Sequence, residues 1–144
     1  MIEAVLDVNV IVSGFSGGRG VPSESIERWL AGEFRVIASE RPLRGAARAW
    51  NNPWFRDLYP RHEAERALEL LRTRAVIVTP ASGVPDITPD RDDDLVLATA
   101  VAGNAEYLVT GDRRFRAIGQ YEGIAIRSRR EFVGILDQER LPIL

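Results

Sequence analysis

Two aspartates in this chain, Asp7 and Asp112, close short apolar runs: Ile2 to Leu6 ends in Asp7, and Tyr107 to Thr110 ends in Gly111-Asp112. A third, Asp94, closes the acidic stretch Asp90 to Asp94 where the apolar segment Leu95 to Ala102 begins. If the two runs are neighbouring parallel strands, Asp7 and Asp112 lie side by side beyond their carboxyl ends, where open α/β sheets bind ligands. Asp94 then reaches the same mouth from the flank. Three carboxylates gathered in this way raise one another's pKa and oppose folding with all of them ionised. A hard divalent cation, Mg²⁺ or Mn²⁺, reverses that balance because it seeks carboxylate oxygens. Such an ion activates water and stabilises charge on a phosphodiester, so metal-assisted hydrolysis is the chemistry these residues best support.

Each aspartate also has a plainer role open to it. Asp7 can bond its own turn, and Thr110-Gly111-Asp112 can be an ordinary turn. Asp90 and Asp92 suit the first turn of a helix, where acidic side chains complement the macrodipole. The rest of the composition removes competing chemistries. All 19 basic residues are arginine, so Schiff-base catalysis and the P-loop lysine are excluded. The single histidine, His62, at an expected helix start, leaves no histidine metal cluster, and the lack of cysteine excludes disulfides and thiolate chemistry. The formal net charge of −2 gives no global attraction to nucleic acid, so any such contact must come from a local arginine patch.

The elements that must hold these carboxylates alternate between strand and helix. Strands are expected at Ile2–Leu6, Phe34–Ala38, Ala75–Val78 and Glu106–Thr110, with a fifth at Ile124–Ile126. Between the first two, Val10-Ile11-Val12 forms a turn or brief helix and Ser13–Gly20 a flexible loop, before a helix opened by Pro22 and Ser23 that carries Ile26, Trp29 and Leu30. Ser39 caps a helix running to Trp50, which Asn51-Asn52-Pro53 breaks. Arg61–Arg74 carries a helical apolar stripe; Leu95–Ala102 is apolar nearly all round and therefore a buried helix; Arg129–Leu136 is the last. At 144 residues this is the size of one α/β domain, with a parallel sheet of four to five strands covered on both faces. Apolar residues after Pro53, among them Trp54, Phe55 and Tyr59, serve either the core or a surface for a partner. No apolar run approaches the roughly 20 residues of a membrane span, and a cytoplasmic protein is expected.

The order of these blocks resembles the PIN-domain family, and within it the bacterial subgroup of toxin–antitoxin proteins. Leu6-Asp7-Val8-Asn9-Val10-Ile11-Val12-Ser13 is similar to the family's opening, Asp92-Asp93-Asp94-Leu95-Val96-Leu97-Ala98 to its third block, and Leu108-Val109-Thr110-Gly111-Asp112 to its fourth. The resemblance implies a three-layer α/β/α sandwich and a Mg²⁺- or Mn²⁺-dependent ribonuclease, often a homodimer, with an antitoxin protein as a partner. It implies Asp7, Asp94 and Asp112 as the metal-site and catalytic carboxylates, with Asn9, Ser13 and Thr110 supporting them through hydrogen bonds. One position departs. Where the family carries a glutamate in the helix after the second strand, this chain has Gly45. Glu40 is a poor substitute, lying about 140° around the helix and about 7.5 Å along it; Asp93 and Asp90 are the acids placed to compensate.

Arginines are available for RNA. Arg113, Arg114 and Arg116 follow Asp112, and Arg41, Arg44 and Arg48 share the helix of Gly45; as guanidinium groups they suit bidentate phosphate contacts, or they are solvated surface charge. Two readings follow: a metal-dependent ribonuclease acting on single-stranded RNA, and a PIN fold that has lost chemistry at Gly45 and binds RNA or protein. Phosphatase chemistry on Asp7 fits poorly, since position nine is asparagine and no lysine lies downstream.

Overall fold

The computed structural model describes residues 1–16, 23–81 and 86–140. The first strand, β1 (Glu3–Leu6), lies at the centre of a six-stranded sheet, flanked by β2 (Arg35–Ala38) and β4 (Tyr107–Val109). β3 (Val76–Ile77) extends one side; β6 (Ile124–Arg127) and β5 (Gln120–Tyr121) extend the other, giving the order β3-β2-β1-β4-β6-β5. All pairings are parallel except β5 with β6. The sheet therefore exceeds the expected four to five strands by one antiparallel edge. That edge is a two-residue hairpin whose turn residues, Glu122 and Gly123, both have positive φ, 48° and 81°. Glutamate is an unusual residue for such a turn, which normally announces itself as Asn-Gly or Asp-Gly.

Because side chains alternate along a strand, strands apolar at successive positions supply two cores. Ala4, Leu6, Val36 and Ala38 face one core together with α1 (Val8–Phe15), α2 (Glu24–Leu30), α3 (Glu40–Trp50), α5 (Arg61–Arg74) and α8 (Arg129–Arg140). Val5, Ile37, Leu108 and Ile126 face the other, beneath α6 (Arg91–Ala102) and Phe115 of the short α7 (Arg113–Arg116). The result is a mostly parallel sheet with helices on both faces. Burying Arg28, on α2, needs compensation: its guanidinium donates to Glu33 at 3.0 Å and to Asp137 of α8 at 2.6 Å, which fastens these helices together.

Local preferences yield to tertiary packing in three places. The run Val8 to Val12 is poor in helix formers, yet α1 is helical through Phe15, because Val10, Ile11 and Val12 are buried and Asp7 caps its first turn. Ser13 thus belongs to a helix, while the remainder of the loop expected to Gly20 lies outside the described residues from residue 17, as does Pro22. Pro53 starts α4 (Pro53–Leu58) as well as ending α3: proline at the first helical position needs no N–H, and the Asn52 side chain accepts from Trp54 N–H at 3.0 Å. Ser39 occupies the N-cap of α3 without capping it. Thr99 gives its proton to Leu95 O, so the 2.6 Å bond to Ser39 is one that Ser39 donates, linking α3 to α6.

The seat of α6 on the sheet depends on a close approach. A Cβ at Gly103, where α6 ends, would stand 2.5 Å from Cγ2 of Ile37, a buried side chain with little room to move. Gly103→Ala should destabilise the fold by about 1–3 kcal/mol through overpacking. Urea unfolding checks this, and an unchanged midpoint would mean that α6 is loosely seated.

Candidate active site

The order β2-β1-β4-β6 reverses direction between β1 and β4, and the sequence places a carboxylate beyond each of these two strands. Their register, Leu6 against Val109, is continued by the N–H of Asp7, which donates to Val109 O at 2.9 Å. Asp7 is buried. Its Oδ1 accepts from Val8 N–H at 2.8 Å, and its Oδ2 accepts from the Thr110 hydroxyl at 2.7 Å. Burial raises its pKa above the usual carboxylate value, and the two hydrogen bonds only partly offset this. Thr110 is fully buried and uses its hydroxyl in both directions, since the same oxygen accepts from Asp112 N–H at 3.1 Å. Asp112, half-exposed, caps α7 by accepting from Arg114 N–H at 2.8 Å.

Asn9 and Ser13 build the outer layer. The Gly111 N–H donates to Asn9 Oδ1 at 3.3 Å, and the Ser13 hydroxyl donates to Asn9 O at 2.7 Å. Ser13 also receives a hydrogen bond from Arg129, at 3.2 Å.

The acidic start of α6 divides its labour differently from the sequence expectation. Asp90 is the N-cap, accepting from Asp92 N–H at 2.8 Å. Asp94, expected beside Asp7 and Asp112, is buried, and its Oδ1 accepts from Thr88 N–H at 2.9 Å and Ile87 N–H at 3.3 Å. It anchors the segment entering the helix. Asp93 instead lines the cavity that Asp7 and Asp112 share. Asp92 and Asp90 line it as well, whereas Asp94, about 100° further round the helix from Asp93, turns to the backbone of Ile87 and Thr88. Asp93 is the most perturbed group resolved here, with its pKa pushed up to about 7 by burial first and then by the charges of Asp7, Asp90, Asp112 and Asp94.

The cavity has a volume of about 750 Å³, inside the roughly 300–1,000 Å³ range of ligand-binding clefts. It is also lined by Arg41, Arg48 and Arg129. Arg41 and Arg48 lie on the helix singled out for its arginines, but Arg129 was not foreseen. It was recoverable, because a residue just past β6 must emerge at the same edge as those past β1 and β4. Of the arginines expected at the mouth, Arg113 and Arg114 are exposed on α7, Arg116 is partly buried, and none of the three is among the described cavity residues. Arg44 borders a separate cavity with Ile77 and Thr79. Gly45 does line the site, and a Cβ there would meet Val8 Cγ2 at 3.6 Å, an ordinary contact. Glu40 is exposed and paired with Arg72 at 2.9 Å.

The chain matches the PIN domain over residues 3–114 and belongs to the PIN-domain family. Members of this family are generally metal-dependent nucleases. Among solved structures it is similar to PAE2754 from Pyrobaculum aerophilum, with a TM-score of 0.63 at 15% identity over 95% of this chain and 90% of that one. At that identity the likeness is one of fold. No curated protein gives a significant match.

Family membership implies a divalent metal. Among the described residues, no three acidic or histidine side chains are already gathered tightly enough to hold one. The donor chemistry nevertheless fits a hard cation: the groups are oxygen ligands at the ends of rigid elements, and Asp93 is pushed towards neutrality by charges that a cation would balance.

The raised Asp93 pKa has a stability consequence. In the unfolded chain the group ionises near the ordinary value of 3.8, and in the fold only near 7. Its destabilising effect therefore grows as pH rises through that interval, is complete above it, and vanishes at low pH. In a chelator, Asp93→Asn should stabilise the protein by about 1–2 kcal/mol at pH 8, after allowance for solvent screening of a half-exposed group, and by little at pH 4. Thermal melts of both proteins across that range would contradict the assignment if the difference were independent of pH.

Proposed function

We propose that this protein is a metal-dependent endoribonuclease acting on single-stranded RNA, with Asp7, Asp93 and Asp112 as its metal-holding and catalytic carboxylates. The observation that carries this reading is the like-charged group at the β1/β4 reversal, whose members line one cavity together with three arginines. Asp94, the residue implied by family resemblance, is assigned a positioning role, since its carboxylate is committed to backbone N–H groups.

In this arrangement Asp7 is held in one rotamer by Val8 and Thr110, and Thr110 in turn fixes the turn that presents Asp112. Arg41, Arg48 and Arg129 would bind and orient the phosphates flanking the scissile bond, each being able to contact two phosphate oxygens. A bound Mg²⁺ or Mn²⁺ would supply the charge that lets the carboxylates ionise together and would acidify a water for attack on phosphorus. A cytoplasmic location, a toxin role beside an antitoxin partner and a homodimer belong to the same reading, and the sequence resemblance supports the last two.

A second reading has its own observation. Gly45 leaves the family's glutamate position in the cavity without a carboxylate, as expected of a weakened enzyme or an inactive RNA- or protein-binding module. Two variants discriminate. Asp7→Asn should reduce Mn²⁺-dependent cleavage of single-stranded RNA to background while its circular dichroism stays that of the wild type; retained cleavage would remove Asp7 from the mechanism. Gly45→Glu adds a Cβ at ordinary contact distance from Val8, at a position that lines the cavity, and gains less than about 1 kcal/mol of helix propensity. Calorimetry should show it binding Mn²⁺ more tightly than the wild type. Cleavage seen only in this variant would establish the wild type as a disabled nuclease.

A further inference from the structure

The cavity does not end at its charged walls. Its α3 side, formed by Arg41, Gly45, Arg48 and Ala49 on successive turns, runs on to Phe55 of α4. None of the residues of α4 is buried. Trp54 is 65% exposed and stands edge-on to Phe55, with ring centroids 4.8 Å apart and planes at 86°. The other two tryptophans, Trp29 and Trp50, are buried in the core. A large indole left in water beside a cleft lined with arginines does no core packing that would explain it, and the backbone that carries it is fixed by the Asn52 cap and Pro53.

We propose that α4 is a base-stacking platform, on which Trp54, supported edge-on by Phe55, receives an unpaired base of the RNA whose phosphates lie along Arg41 and Arg48. The proposal rests on the ribonuclease reading for the identity of the strand and adds to it the element that selects single-stranded over paired RNA. Three features favour a nucleobase over a protein as the occupant. The aromatic pair is continuous with the cavity through Phe55. Arginines lie on both sides of it along the chain, Arg48 on α3 and Arg56 within α4. Alternation of cationic groups with an exposed aromatic face is the arrangement that tracks a single strand, phosphate by phosphate and base by base. A base within a duplex has its faces covered by its neighbours and offers none to the indole.

The test is binding of fluorescein-labelled oligouridylate to wild type, Trp54→Ala and Trp54→Phe, with calcium present and the RNA verified intact. An abasic oligomer of equal length serves as a second probe. Trp54→Ala should weaken oligouridylate binding by about five- to a hundredfold, the range for loss of one stacking surface, and Trp54→Phe should recover most of it. The abasic oligomer should bind wild type and Trp54→Ala alike. Tryptophan fluorescence should be quenched by oligouridylate in the wild type and hardly at all in Trp54→Phe.

Equal affinity of wild type and Trp54→Ala for oligouridylate, or no measurable binding by the wild type, overturns the platform. So does the finding, by sedimentation, that Trp54→Ala dissociates a dimer while its RNA affinity is unchanged, because the indole is then covered by a second copy. Cleavage is scored separately. Stacking without cleavage leaves the platform and removes the nuclease, whereas cleavage that is indifferent to Trp54 does the reverse.

Discussion

The mutual repulsion of carboxylates beyond the ends of β1 and β4 is the constraint around which the rest of the site is arranged. Asp7 has lost most of its water, and among the described residues the groups restoring its solvation are the Val8 N–H and the Thr110 hydroxyl. Thr110 is thereby fixed as a polar residue in an otherwise apolar strand end, and its acceptor capacity orders the turn to Asp112. The tension that remains is concentrated on Asp93. A fold that needed only stability would have placed neutral groups there, and it is this unrelieved charge that the proposed metal ion would balance.

Acids and arginines reach the cavity from different elements. Acids come from strand ends and the start of α6, arginines from α3 and the start of α8. A chain with a formal net charge of −2 thus still brings three arginines to one cavity, as the proposed RNA substrate requires. The same division between elements explains why the arginines next to Asp112 in sequence are poor guides to the site. Adjacency along the chain puts Arg113 and Arg114 on the exposed side of α7, whereas adjacency in the sheet brings Arg129 in from a distant segment.

Most of the architecture was legible in the sequence, because alternating apolar runs, a buried α6 and two aspartates at strand ends are features of residue type and spacing. The neighbouring of β1 and β4, a condition of the sequence reading, is what the sheet has. What was not legible depended on rotation and on contacts between distant segments. Spacing locates the acidic run at the head of α6, but whether Asp93 or Asp94 faces the strands is set by how the helix is turned on the sheet, which depends on Gly103 against Ile37. Pro53 reads equally well as an end or a beginning. Ser39 was rightly put at a helix start, yet its hydroxyl serves a different helix, since Thr99 lies 60 residues away in sequence and directly opposite in space.

The buried guanidinium of Arg28 reaches further than its own neighbourhood. It grips Asp137 in the last third of α8, and the same helix begins with Arg129 at the cavity wall. Eight residues of helix span about 12 Å, so α8 acts as a stiff arm with its fulcrum in the core and its tip on the site. Phe132 and Leu136 are buried between those two points, so the Arg28 network and the cavity wall share one rigid support. The cavity has, in mechanical language, a strut that runs from the core to its rim.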